Sequence, residues 1–279
     1  MILYRMENNH IYIWLGGSFS PPTLAHMNIA KIGAEYIARQ HPDKKIHLYF
    51  VPVNDHYKKE SVTCVHFSDR LEMLKIAANA LNEGSNITFG VSDIEAVEGE
   101  TTNQSVKTWR SLELLINEHH AKPENVYLMQ GQDNIAGILK GSWENPYALI
   151  FKSKLLCIPR TEGSTEKELI EIINLETLRN KDNQFNYKTE QTIMERVEII
   201  DTIPSLTSSS ELRKQIRESE SETDEKLLKI AHPEILKYIW NNKLYKELKC
   251  EAPPKGGGRR KLRKTRRSSV RRGKKTRRH

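Results

Sequence analysis

Residues 16–26 read Gly-Gly-Ser-Phe-Ser-Pro-Pro-Thr-Leu-Ala-His and directly follow the apolar run Ile11–Leu15. That run is short and rich in β-branched and aromatic residues, which predicts a buried strand. From Leu24 to Gln40 the apolar residues recur at helical spacing, so the quoted stretch is the turn between a strand and a helix. Glycines let backbone N–H groups approach a ligand closely, and a helix N-terminus attracts anions. The stretch therefore predicts an α/β fold with a phosphate-binding corner.

His26 lies in the first turn of the predicted helix, where its side chain can donate a hydrogen bond to a phosphate or to charge developing on one. The stretch is neither a P-loop, because it lacks Gly-Lys-Ser/Thr, nor a GxGxxG dinucleotide fingerprint. A strand–turn–helix corner with a surface histidine would explain a Gly-Gly turn alone. The combination of Gly17, Phe19, Pro21, Thr23 and His26 favours a phosphate-binding site instead.

Short apolar strands alternate with helical stretches along the rest of the chain. The further predicted strands are Ile46–Val53, Val126–Met129 and Lys154–Ile158. The further predicted helices are Phe67–Leu81, Val106–His119, Lys167–Asn174, one from Ser209, and Pro233–Leu248. This alternation predicts a Rossmann-like doubly wound parallel sheet with helices on both faces and a small C-terminal helical part. Such sheets bind ligands at the carboxyl ends of their strands.

The composition is that of a soluble globular protein. The chain has 279 residues, of which 37% are hydrophobic and 29% charged, and no apolar run approaches the ~20 residues that cross a bilayer. We therefore expect no membrane partner, no secretory signal and a cytoplasmic or nuclear location. Cys64, Cys157 and Cys250 are far apart and form no metal-ligand pattern, which favours a reducing compartment.

The positive charge is concentrated at one end. Residues 255–279 contain 14 Lys/Arg and no Asp/Glu, whereas the preceding 254 residues carry 30 basic and 36 acidic groups. Pro253 and Pro254, then Gly256–Gly258, mark the boundary. We predict one domain over residues 1–250 and a disordered basic tail over 251–279. Such a tail can bind nucleic acid or another polyanion nonspecifically, act as a nuclear-localisation signal, or only aid solubility.

The stretch from Gly17 to His26 resembles the GxFxPxTxxH form of the phosphate-binding motif in HxGH-type nucleotidylyltransferases. It is most similar to the nicotinamide- and nicotinate-nucleotide adenylyltransferases. Many of these have a histidine where Thr23 stands, while eukaryotic-type members have threonine. Further motifs of that family follow in the expected order over roughly Ile11 to Leu248: residues 51–59 resemble SPVxDxYxK, Arg70 and Met73 fit RxxM, residues 108–112 resemble TxxTL, residues 131–133 resemble GxD, and residues 208–213 resemble SSTxIR.

The resemblance implies a role for each matched residue. ATP would bind at Gly17, Ser18, Phe19, His26, Gly131, Asp133, Ser209, Ser210 and Arg213, with His26 and Arg213 catalytic. The mononucleotide would bind at Tyr57, Lys58, Lys59, Thr108, Ser111 and Trp143, with the choice between the two lysines open. Ser111 and Ser210 replace threonines of the motifs, and Trp109 either stacks on substrate or packs in the core. Mg²⁺ would bind through the ATP phosphates, and no protein residue is assigned as a metal ligand.

Three functions remain open from the sequence. The first is adenylyl transfer from ATP to nicotinamide or nicotinate mononucleotide, giving NAD or its deamido form and pyrophosphate. The second is transfer to another phosphorylated acceptor such as phosphopantetheine, which the Tyr57, Thr108 and Trp143 set disfavours. The third is a nucleic-acid-binding protein whose nucleotidyl domain is inactive. The acceptor's amide or carboxylate group and the oligomeric state are not decided.

Overall fold

The computed structural model describes residues 9–57, 65–82, 87–159, 165–201 and 207–246. Within them one sheet contains the strands β1 His10–Gly17, β2 Lys45–Pro52, β3 Thr88–Val91, β4 Val126–Gly131, β5 Lys154–Ile158 and β6 Val197–Ile199. Every neighbouring pair is parallel, and the order across the sheet is β3-β2-β1-β4-β5-β6. The predicted doubly wound parallel sheet is confirmed.

Twelve α-helices lie in the described ranges: α1 Leu24–Gln40, α2 Phe67–Asn82, α3 Ile94–Thr102, α4 Thr108–Glu118, α5 Gln132–Leu139, α6 Pro146–Phe151, α7 Thr165–Ile172, α8 Leu175–Lys181, α9 Glu190–Met194, α10 Ser209–Glu218, α11 Glu225–Leu228 and α12 Pro233–Asn241. Two 3₁₀ turns, Pro123–Asn125 and Asn183–Tyr187, accompany them. None of the helices in these ranges combines the length and apolar character needed to span a bilayer.

Helices cover both faces of the sheet, and the side chains of each strand are buried alternately against one face and the other. Ile11 and Ile13 of β1 belong to a core cluster with residues of α1 and α2. Trp14 belongs to the cluster on the other face, with residues of α4, α5 and α6. Successive strand side chains point to opposite faces, so one apolar run supplies both layers.

The C-terminal helices pack against α1 and α2. Buried residues of α10, α11 and α12 cluster with Met27 of α1 and Met73 of α2. This packing brings α10 towards the N-terminus of α1, and the backbone N–H of Leu24 donates to the carbonyl of Ile230 at 2.8 Å. The predicted C-terminal helical part therefore lies beside the end of the sheet at which α1 begins.

The order of the strands reverses at β1. The strands β2 and β3 follow on one side of β1, and β4, β5 and β6 follow on its other side. Leu15 of β1 is paired with Met129 of β4, so the carboxyl ends of these strands, Gly17 and Gly131, lie side by side. In open α/β sheets the crevice at such a switch point is where ligands bind. The two glycine-containing motifs of the sequence thus meet at one place.

Some elements differ from the expectations. β3 was not predicted because it has four residues, one of them Gly90, where a Cβ would lie 2.9 Å from the ring of Tyr49. The last helix ends at Asn241 and not at Leu248, and α4 begins at Thr108. The tail 251–279 lies outside the described residues, so its disorder and the domain boundary stay predictions.

Candidate functional site

Phe19 holds the corner between β1 and α1 in shape. Its backbone has a φ of 45°, and its side chain is 1% exposed. The ring lies edge-on to His26 at 5.2 Å and to Phe50 at 5.6 Å between centroids. A Cβ on Gly17 would approach the Phe19 ring to 3.0 Å, which explains the glycine. The side chain of Phe19 thus packs inward, and only its backbone can face a ligand.

Thr23 and His26 form a reciprocal cap at the start of α1. The Thr23 hydroxyl oxygen accepts from the His26 backbone N–H, and His26 Nδ1 accepts from the Thr23 backbone N–H at 3.0 Å. Because Nδ1 is an acceptor, the neutral ring carries its proton on Nε2. Burial lowers the pKa of His26 to about 4, so the ring is neutral near pH 7. His26 is therefore a hydrogen-bond donor of fixed orientation.

The lowered pKa of His26 makes stability pH-dependent. At a pH between about 4, the pKa of His26 in the folded chain, and 6.5, the ordinary histidine pKa, the unfolded chain binds a proton at His26 that the folded chain does not. The free energy of unfolding should therefore fall with falling pH, by about 2 kcal/mol at pH 5 from this group. Urea unfolding of wild type and His26→Asn at about pH 7.5 and about pH 5 measures it.

The variant should lose less stability on acidification than the wild type. His41, His47 and His119 also have lowered pKa values, mainly because they are partly buried. They are present in both proteins, so their contribution cancels in the comparison. Equal pH dependence in the two proteins would contradict the account of His26.

The N-terminus of α10 closes the corner from the other end of the chain. Ser209 Oγ donates to the carbonyl of Pro21 at 2.8 Å, and Arg213 Nη1 donates to the carbonyl of Ser20 at 2.5 Å. Arg213 Nη2 also donates to Ser210 Oγ at 3.1 Å. Arg213 is 6% exposed. The predicted phosphate ligands of two distant motifs are thus joined, with a guanidinium at the junction.

Arg70 fixes the corner from below, a role that the sequence did not reveal. Its guanidinium is fully buried and donates to the carbonyl of Ser18 at 3.1 Å and to Asp55 Oδ1 at 3.0 Å. Arg70 thus fixes the position of the Ser18 carbonyl and joins the corner to the loop that carries Asp55. The RxxM resemblance was the signal, since it marks an arginine in a helix that is otherwise buried against the sheet.

A separate cavity of about 350 Å³ has tyrosine and tryptophan side chains in its lining. Tyr57 lines it and belongs to the loop after β2, in which the backbone N–H of Val53 donates to the carbonyl of Gly17 in the corner at 3.1 Å. Tyr57, Thr108 and Trp143, which come from three distant segments, all line it, and Trp109 lines it as well. Trp143 packs over α5, where a Cβ on Gly137 would lie 2.9 Å from its Nε1. The structure thus brings together three of the predicted mononucleotide residues. Trp109 faces the cavity and also packs against the core.

Ser111 is not brought to this cavity. It is fully buried, and its hydroxyl donates to Glu95 Oε1 at 2.6 Å. Burial raises the pKa of Glu95 to about 7. Asn54 donates to the carbonyls of Glu95 and Gln104 and so ties α3 to the segment that precedes α4. The Ser111 hydroxyl therefore joins α4 to α3 inside the protein and is not a residue of the cavity lining.

The remaining predicted residues lie at the edge of the sheet or outside the described residues. Gly131 caps α5, a Cβ there would meet open space, and Asp133 is exposed in the first turn of α5. Lys58 and Lys59 lie outside the described residues. Two cavity residues that the sequence did not single out, Lys107 and Glu144, adjoin Thr108 and Trp143.

The chain is similar in sequence and in structure to two known proteins. A probable nicotinate-nucleotide adenylyltransferase of Acholeplasma laidlawii is 23% identical over 234 residues, 84% of this chain and 97% of that protein. Two structures of Plasmodium falciparum nicotinic acid mononucleotide adenylyltransferase, with APC and with NaAD, are 21% and 22% identical, with TM-scores of 0.54 and 0.55. Each comparison covers 85% of this chain and 97% of the other.

A family model shows the family to which the chain belongs. The family model described as cytidylyltransferase-like matches residues 14–215, which include the corner, the aromatic cavity and the N-terminus of α10. The order of the strands and the position of the site at the β1–β4 switch point agree with that match. This chain belongs to the cytidylyltransferase-like family of nucleotidyltransferases.

Proposed function

We propose that the protein transfers the adenylyl group of ATP to the phosphate of nicotinamide or nicotinate mononucleotide, giving NAD or its deamido form and pyrophosphate. One observation carries the proposal: the loop after β2 links the corner that contains His26 and Arg213 to a cavity lined by two tryptophans and a tyrosine. The corner suits a triphosphate, and flat aromatic walls suit a planar ring. The similar proteins from A. laidlawii and P. falciparum support the choice of acceptor.

The reaction requires little covalent chemistry from the protein. An oxygen of the mononucleotide phosphate attacks the α-phosphorus of ATP, and the bond to the bridging oxygen of the β-phosphate breaks. The attacking phosphate is already ionised at neutral pH, so no general base is needed. Catalysis is then positioning together with stabilisation of charge on the phosphoryl oxygens.

His26 and the α10 N-terminus provide that stabilisation. The Nε2–H of His26 donates to an α-phosphate oxygen or to the leaving oxygen, with its direction set by the Thr23 cap. Ser209, Ser210 and Arg213 bind the β- and γ-phosphates. The described side chains here are hydroxyls, a histidine and an arginine, which suit phosphate oxygens. Mg²⁺ would enter on the ATP phosphates, neutralising their charge with water as its other ligand.

Acceptor-dependent pyrophosphate release from Mg·ATP tests the proposal. Nicotinamide mononucleotide, nicotinate mononucleotide and phosphopantetheine are supplied in turn. We expect release with at least one pyridine mononucleotide and none with phosphopantetheine, whose flexible chain has no ring to stack on the aromatic side chains of the cavity. Release with phosphopantetheine alone would assign the other acceptor class.

A second candidate function comes from the charge of the tail. With 14 Lys/Arg and no acidic residue over 255–279, we propose that this segment binds nucleic acid nonspecifically through phosphate contacts. Deletion of residues 255–279 should abolish binding to duplex DNA at about 50 mM salt and leave turnover unchanged. The full chain should lose DNA affinity steeply as salt rises. DNA binding that survives the deletion or ignores salt would contradict the role of the tail.

A further inference from the structure

The aromatic cavity contains a charged pair that none of the matched motifs includes. Among the described residues that line the cavity, Lys107 and Glu144 are the charged ones. Lys107 Nζ and Glu144 Oε1 are 2.8 Å apart. Lys107 directly precedes Thr108 at the start of α4, and Glu144 directly follows Trp143. The pair therefore joins two walls of the cavity, and each charge is next to a residue expected to contact the pyridine ring.

The pair is held loosely. The side chains of Lys107 and Glu144 are 53% and 60% exposed, and exposed ion pairs contribute only about 0–1 kcal/mol. Either side chain can therefore exchange its partner for a substrate group at small energetic cost. A firmly buried pair would be fixed and could not respond to the substrate.

The two possible acceptors differ by one charge in their ring substituent. Nicotinate mononucleotide carries a carboxylate, and nicotinamide mononucleotide carries a neutral carboxamide. A cation in the cavity favours binding of the carboxylate. An anion disfavours it, because it repels the carboxylate and because it forms an ion pair with the cation. In the protein as it stands the two effects oppose each other.

We propose that Lys107 and Glu144 together determine how the cavity discriminates between a pyridine carboxylate and a pyridine carboxamide. Lys107 binds the carboxylate, and Glu144 limits that preference by pairing with Lys107. The inference rests on the proposed function, because it assumes that this cavity holds the pyridine ring. It assigns a specificity-determining pair, and it predicts in which direction replacing each residue changes the preference for the carboxylate.

The ratio of kcat/KM for nicotinate over nicotinamide mononucleotide is the quantity to measure. Glu144→Gln removes the competing anion and should raise this ratio by about threefold to fivefold, and Lys107→Gln should lower it by a similar factor, because both charges are largely exposed to water. The double variant restores a neutral cavity, so its ratio should lie near that of wild type. Both shifts should shrink at about 0.5 M salt, because exposed charges are screened.

An ion pair between Glu113 of α4 and Lys152, the residue after α6, provides the control. Lys152 and Glu113 are 3.0 Å apart and partly exposed, but they are not among the residues that line the cavity. Lys152→Gln should leave the ratio unchanged. Calorimetric binding of each mononucleotide to the same variants gives a second readout that does not depend on turnover.

The outcomes separate the two proposals. Opposite movement of the ratio in the single variants and recovery in the double variant support the pair. A wild type that turns over a mononucleotide while neither single variant shifts the ratio, or both shift it the same way, overturns the pair and leaves the proposed function intact. A wild type that neither binds nor uses either mononucleotide overturns the proposed function, and this inference with it.

Discussion

His26→Asn is expected to lower kcat for acceptor-dependent pyrophosphate release by about 10²–10³-fold, the usual effect of removing one donor to a phosphoryl or carbonyl oxyanion. The asparagine side-chain oxygen can still accept from the Thr23 backbone N–H, so the start of α1 keeps its cap. What it loses is the Nε2–H that His26 directs into the site. KM for ATP should change much less than kcat, because the lost hydrogen bond strengthens only as charge develops.

His120→Asn is the matched control for this experiment. His120 is exposed and has a φ of 47°, a conformation that asparagine adopts readily. It should therefore retain wild-type kinetics. Unfolding in urea at about pH 7.5 should give His26→Asn a free energy of unfolding within about 1 kcal/mol of wild type. A folded His26→Asn with wild-type kcat would show that His26 only caps the helix.

Arg213→Ala is expected to have the larger effect, a loss of about 10³-fold or more in kcat/KM together with a loss of stability. The guanidinium is 6% exposed and joins α10 to the carbonyl of Ser20 in the corner. Its removal takes away the cation of the proposed polyphosphate site and leaves a buried carbonyl without its donor, which costs about 1–3 kcal/mol.

Arg213→Lys separates the two roles of this residue. Lysine keeps the charge but cannot donate to both Ser20 and Ser210 in the planar geometry of a guanidinium. We expect an intermediate kcat/KM and a partial loss of stability. Arg179→Ala, at an exposed arginine of α8, should change neither quantity. If Arg213→Ala lost stability but kept wild-type kinetics, Arg213 would be a structural anchor without contact to phosphate.

Local patterns in the sequence could predict the part of the site that is written in one continuous segment, and the resemblance added residues from distant segments. The corner was predictable because strand, turn, cap and helix follow one another from Ile11 to His26, and each is encoded by neighbouring residues. The parallel sheet followed from the alternation of strands and helices. β3 was missed because four residues with a central glycine give no periodic signal.

The contacts between distant segments needed the structure. Resemblance placed Arg213 at the polyphosphate, but periodicity gives no reason for its guanidinium to meet the carbonyl of Ser20. The burial of Ser111 against Glu95 depends on how α3 packs on α4, which no local pattern encodes. The pair of Lys107 and Glu144 was equally invisible, because charged residues at a helix start and in a loop ordinarily face solvent.

The most direct test of the central claim follows the α-phosphate of ATP. Wild type is incubated with Mg²⁺, a pyridine mononucleotide and ATP labelled at the α-phosphorus, and the products are separated. The account predicts that the label appears in the dinucleotide, in equal amount to the pyrophosphate released, and that His26→Asn forms this product far more slowly. Label found only in AMP, or remaining in ATP at saturating mononucleotide, would contradict adenylyl transfer to the pyridine acceptor.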